Sequence, residues 1–128
     1  MRLLVAAIPV VIISACATAP PAPSDVAFTN ADFGAVPTNY EAIVKGYYDA
    51  SLKDPDSVRY RSISTPQKQW IGTRGTESGQ YGYLVCAVIN AKNSYGAYVG
   101  YKTDAFLLRD GRIVRYVKDG TLGEVPLC

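Results

Sequence analysis

The sequence predicts an α+β fold: one N-terminal helix packed on an antiparallel sheet of about five strands, tied by a disulfide. Three observations lead there. A single stretch of helical periodicity, from Tyr40 to Leu52, precedes a series of alternating segments, and a helix followed by strands points to an antiparallel sheet with the helix on one face. Asp110-Gly111 stands between two alternating runs, and this dipeptide suits a type I′ hairpin turn, which needs positive φ at both central positions. Cys86 and Cys128 are the only cysteines beyond position 16.

The chain begins with a leader over residues 1–15. Arg2 gives it a positive start, Leu3 to Ile13 an apolar centre, and Ser14-Ala15 small residues at its end, the three parts of a signal peptide. The apolar run contains Pro9 and is about half the roughly 20 residues needed to cross a bilayer. Ile13-Ser14-Ala15-Cys16 resembles the lipobox of bacterial lipoproteins. That resemblance implies cleavage before Cys16, acylation of its thiol, and commonly a further fatty acyl chain such as palmitate on its amine. Several chains anchor stably where one is marginal, since each buried methylene contributes roughly 0.8 kcal/mol. In such lipoproteins an aspartate after the cysteine favours the inner membrane. Ala17 takes that place here, so the resemblance implies an outer-membrane protein facing the periplasm.

Residues 16–36 read as a lipidated tether, because Ala17-Thr18-Ala19-Pro20-Pro21-Ala22-Pro23-Ser24 has the composition of an extended spacer. A single α+β domain is expected over residues 37–128. Thr38-Asn39-Tyr40-Glu41 reads as a capping box that starts a helix. Tyr40, Ile43, Val44, Tyr47, Tyr48 and Leu52 then recur every three or four residues and draw an apolar stripe, until Asp54-Pro55-Asp56 stops the helix near Lys53. Val58, Tyr60 and Ser62 alternate with Arg59, Arg61 and Ile63 in a first strand, and Gln67 to Thr73 forms a second. Tyr81 to Asn90 is apolar on both alternating faces and is taken as the central strand. Ala91 to Gly96 supplies a turn, and alternation resumes from Ala97 to Arg109. A two-residue turn at Asp110-Gly111 pairs Arg109 with Arg112, Leu108 with Ile113, Leu107 with Val114 and Phe106 with Arg115. Leu107, Val114 and Tyr116 then share a face.

With Cys16 assigned to lipid, Cys86 and Cys128 are expected to pair in an oxidising compartment. The chain has no histidine, which removes Ser-His-Asp and Cys-His catalytic sets and the commonest transition-metal ligand. No enzyme, metal site or cofactor is expected, although carboxylates such as Asp104 and Glu77 are the types that pair in acid–base work. The Gly72–Gly79 loop lacks the ending of a phosphate-binding P-loop and reads as a hairpin connection. Thirteen Lys and Arg against eleven Asp and Glu leave a net charge of +2, no footprint for nucleic acid. Arg59, Arg61, Lys68 and Arg74 lie near Asp54, Asp56 and Glu77, a mixture typical of a solvated face, with an anion-binding patch as the alternative.

Leu52-Lys53-Asp54-Pro55-Asp56-Ser57 and the run from Cys86 through Asn90-Ala91-Lys92-Asn93 to Gly96, Tyr98 and Gly100 resemble a group of small bacterial envelope lipoproteins. Those proteins share a Leu-x-Asp-Pro-x-Ser element and a Cys-x-x-x-Asn-Ala-Lys-Asn-x-x-Gly-x-Tyr-x-Gly element. The resemblance implies an address and a fold but no substrate. Asn90, Lys92, Asn93, Tyr95 and Tyr98 form the candidate binding loop. They read either as turn-forming residues or as a polar and aromatic loop displayed to a partner. The expected function is that of a membrane-anchored, non-enzymatic interaction module whose partner is another envelope protein. The alternative is binding of cell-wall glycan or inhibition of a lytic enzyme.

Overall fold

The computed structural model describes residues 20–73 and 78–128. The leader, Cys16 and residues 74–77, with Arg74 and Glu77 among them, lie outside the described residues. Among the described residues, no helix is long and apolar enough to cross a membrane.

The helical stripe forms α2 (Tyr40–Ser51), with Val44 and Tyr48 buried and Tyr40, Ile43, Tyr47 and Leu52 packed around them. Its start differs from the expected capping box. Asn39 is the N-cap, without a side-chain hydrogen bond, so packing of the stripe rather than a cap sets this end of the helix. A 3-10 turn at Pro55–Ser57 follows.

Five strands form one antiparallel sheet: β1 (Arg59–Ile63), β2 (Gln67–Gly72), β3 (Gly79–Asn90), β4 (Lys102–Arg109) and β5 (Arg112–Val117). β3 is central. It carries β4 along one edge and, along the other, β2 beside its first half and β1 beside its second. Its two apolar faces are both used. Val85, Ala87 and Ile89 join Phe106 and Leu108 under α2. Leu84 and Cys86 face the other way, where Ala105, Val117, Leu122 and Leu127 cover them. Cys86 and Cys128 form the disulfide on that second face, beside the short hairpin of β6 (Thr121–Leu122) and β7 (Val125–Pro126).

Several expectations are corrected. The packed helix is not the first in the chain, because α1 (Asp25–Thr29) precedes it, with Ser24 Oγ accepting from the Ala27 amide. The residues around α1 do not behave as spacer. Phe33 is buried and lies 5.0 Å from Phe28 and 5.4 Å from Tyr81, while Arg109 donates to Asp32 Oδ2 at 2.8 Å and to its backbone carbonyl at 2.6 Å. Two aromatic side chains and the Asp32–Arg109 pair dock this stretch on the sheet.

The hairpin turn has φ of 49° at Asp110 and 74° at Gly111, and Arg109 and Leu108 pair as expected. Beyond them a bulge adds one residue to β5, so Leu107 faces Arg115, and Phe106 faces Tyr116. Tyr116 therefore packs under α2, 4.8 Å from Tyr47, and Val117 turns to the opposite face. A second register shift, between Tyr60 and Ser62, brings Ile63 to the same side as Tyr60. Finally, 97–101 is loop rather than strand, and β4 starts only after Gly100, whose φ is 101°.

Candidate functional site

The Leu52–Ser57 element and the Asn90–Gly100 element meet in space at one end of the sheet. Ser57 is buried in the turn after α2. Its hydroxyl donates to the Asp54 carbonyl at 2.7 Å and accepts from the Lys92 amide at 3.3 Å. Its carbonyl accepts from the Tyr98 hydroxyl at 2.9 Å. One serine thus ties the helix exit to both arms of the 91–101 loop, which are joined by a bridge between Lys92 and Tyr98.

Within the loop, Asn93 Oδ1 accepts from the amides of Tyr95 and Ala97, at 2.9 and 3.1 Å. Asn90 is buried, and its Oδ1 accepts from the Gly100 amide at 3.1 Å. Gly96 has φ of 80° with open space where a Cβ would stand, so it is backbone conformation rather than close contact that favours glycine there. The candidate residues divide accordingly. Asn90, Asn93 and the Tyr98 hydroxyl hold the loop in shape, whereas Tyr95 projects from its tip with 95% of its surface exposed and Lys92 is exposed beside it.

Replacing Ser57 by alanine removes one donor and one acceptor from this junction. The expected cost is about 1–2 kcal/mol by urea unfolding, accompanied by faster hydrogen exchange at the Lys92 and Asn93 amides. Unchanged exchange there would mean that the loop keeps its shape without the serine.

Sequence reasoning missed the partners of this loop. Arg59 lies over the ring of Tyr98, with Cζ 4.1 Å from its centroid, and Arg61 lies over Tyr101 at 3.8 Å. Lys92 Nζ is 5.6 Å from the Tyr98 ring. The expected basic cluster is divided by the sheet: Lys68 sits over Phe33 on the α2 side, 5.0 Å from its centroid. Among the described residues no carboxylate is within 4.0 Å of Arg59, Arg61 or Lys92; the ion pairs are those of Lys45, Lys102 and Arg109.

A second polar cluster is enclosed under α2. The Asp104 side chain is fully buried. Tyr48 donates to its Oδ2 at 2.8 Å, the Asp119 amide donates to its Oδ1 at 3.1 Å, and Lys102 Nζ stands 3.8 Å away. Burial, and then the Asp104 contact, push the Tyr48 phenol far above its ordinary value. Tyr116 is raised in the same way, mainly by burial and then by the Asp104 charge. The arrangement anchors Asp119, whose φ is 60°, and so holds the turn into β6. A carboxyl enclosed to this degree has no open approach for a substrate. Glu77, its suggested acid–base companion, lies outside the described residues.

Comparison of the chain with protein-family models, with curated proteins and with solved structures finds no match in any of the three.

Proposed function

We propose that this chain is a lipid-anchored envelope lipoprotein, cleaved before Cys16, whose periplasm-facing domain acts as a non-enzymatic interaction module. The address rests on the leader and on Ile13-Ser14-Ala15-Cys16. The observation that carries the module is Tyr95, an almost wholly exposed aromatic side chain on a loop fastened at Asn90, Asn93 and Ser57. A tyrosine offers large contact area for little rotamer entropy, and a pre-shaped loop loses little more on docking. Wall glycan is the less favoured ligand, because the Oδ1 atoms of Asn90 and Asn93 already accept backbone amides.

Two measurements test the reading. Metabolic labelling with palmitate should mark the protein, and Cys16→Ser should abolish the label. A photo-reactive residue at Tyr95, with one at Asp25 as control, should trap one dominant envelope protein from Tyr95 alone in the native host. Glycan adducts, or the same products from both positions, would overturn the module.

A further inference from the structure

Among the described residues, three cations at this end of the sheet, Arg59, Arg61 and Lys92, have no carboxylate within 4.0 Å. Arg59 pairs across the sheet with Asn90, on the side turned away from α2, and its guanidinium and that of Arg61 rest on the Tyr98 and Tyr101 rings. Stacking fixes a guanidinium without consuming its in-plane N–H donors, whose fork matches a carboxylate. Asp54 and Asp56 are close in sequence, yet neither comes within ion-pair distance. The loop that supplies these rings also exposes apolar surface: Tyr95, Val99 at 63% exposure and Tyr101 at 42%. Tyrosine and arginine are both enriched among the residues that carry the binding energy of protein–protein contacts.

The other anionic surface available to a lipoprotein is its own membrane, and the chain's connectivity favours it less. Pro20 lies against the far end of the sheet, where a Cβ added to Gly72 would come 2.7 Å from the proline ring. The four peptide steps from Cys16 to Pro20 reach at most about 14 Å. Gly72 pairs with Gly79 at the start of β3, and β3 carries the chain roughly 36 Å from there to Asn90. Pro20, four residues beyond the proposed acylation site, and the cationic face thus stand at opposite ends of the sheet, several Debye lengths apart, each about 8 Å at physiological salt.

We propose that this face binds an acidic segment of a partner protein, with carboxylates engaging Arg59 and Arg61, Lys92 adding charge, and apolar side chains resting on Tyr95 and Val99. The inference depends on the interaction-module reading and names the partner's chemistry.

Poly-L-glutamate is the probe, titrated into the mature lipoprotein in zwitterionic nanodiscs and followed by nitrogen–proton spectra of arginine side chains and loop amides. Shifts are expected at Arg59 Nε, Arg61 Nε and the amides from Tyr95 to Gly100, with Arg112 and Arg115 unmoved. Arg59→Ala/Arg61→Ala, shown by circular dichroism to be folded, should weaken binding about tenfold, and raised salt should weaken the parent. Equal shifts at Arg112 and Arg115, or unchanged affinity in the double variant, would overturn the proposal. So would tighter binding at the same residues by phosphatidylglycerol vesicles or purified sacculi, which would make the face a lipid or wall site. A protein trapped from Tyr95 in cells, together with indifference to poly-L-glutamate, would remove the acidic partner and leave the module standing.

Discussion

Replacing Cys86 and Cys128 together by serine is expected to lower the unfolding free energy by about 4 kcal/mol and the melting temperature by about 20 °C. The two residues are separated by 42 positions, so the bond removes from the unfolded chain the entropy of a long open loop. In a domain of this size that is a large part of a net stability of roughly 5–15 kcal/mol. In the folded state the Asp104 contact holds Asp119 at the start of the 118–128 segment, and few further ties hold the rest. The amides of Leu127 and Cys128 both donate to the Gly120 carbonyl, and Leu122 and Leu127 cover Leu84, Ala105 and Val117. The double variant should therefore open first on that face, with hydrogen exchange quickening at Leu84 and Ala105. The aromatic contacts of Tyr47 with Phe106 and Tyr116 lie on the other side of the sheet and should persist. Thermal and urea unfolding with and without reductant provide the check. A loss below about 1 kcal/mol would mean that the apolar cover alone holds the segment.

The parts of this fold legible in the sequence were those governed by local periodicity. The α2 stripe follows from spacings of three and four, and the turn at Asp110-Gly111 follows from the φ values it requires. The register beyond that turn was not legible. The bulges at Val114 and Arg61 each insert one residue into an otherwise regular alternation, and alternation cannot reveal a residue that leaves its neighbours' pattern intact. One such residue decides that Tyr116 meets Tyr47 rather than sharing a face with Leu107. α1 and Phe33 were hidden for another reason. The contacts of Phe33 with Tyr81 and of Asp32 with Arg109 span from about fifty to nearly eighty positions, while the local composition is that of a spacer.

The candidate loop divides along the same line. Asn90, Asn93 and Gly96 carry turn chemistry that residue types announce, and the structure uses them in that way. Arg59 and Arg61 looked like a solvated face, because sequence neighbours suggested neutralisation by Asp54 and Asp56. What distinguishes them is the ring each one covers, supplied by a loop about forty residues further along the chain.

Asp104 should be the least replaceable polar residue among those described. Asp104→Ala strands the Tyr48 hydroxyl and the Asp119 amide in a buried setting, at a cost of about 1–3 kcal/mol for each unsatisfied group, or about 3–4 kcal/mol in all. It should also release the turn at Asp119, whose left-handed backbone has no other side-chain acceptor among the described residues. Tyr48→Phe removes only one donor and should cost about 1–3 kcal/mol, and it carries a signature in pH. The folded protein holds the Tyr48 proton well above the pH at which an unfolded phenol, with a pKa of about 10, gives it up. The contribution is therefore complete below about pH 10 and is lost as pH rises beyond it, by up to about 1.4 kcal/mol per pH unit for each phenol so held. Urea midpoints between about pH 9 and about pH 11 should fall less steeply in Tyr48→Phe than in the parent, with Tyr116 and Tyr60, both also raised by burial, supplying slope that is left. Equal slopes in the two proteins would mean that the Tyr48 phenol ionises in the folded state as it does in the unfolded chain, and that the Asp104 cluster is open to water.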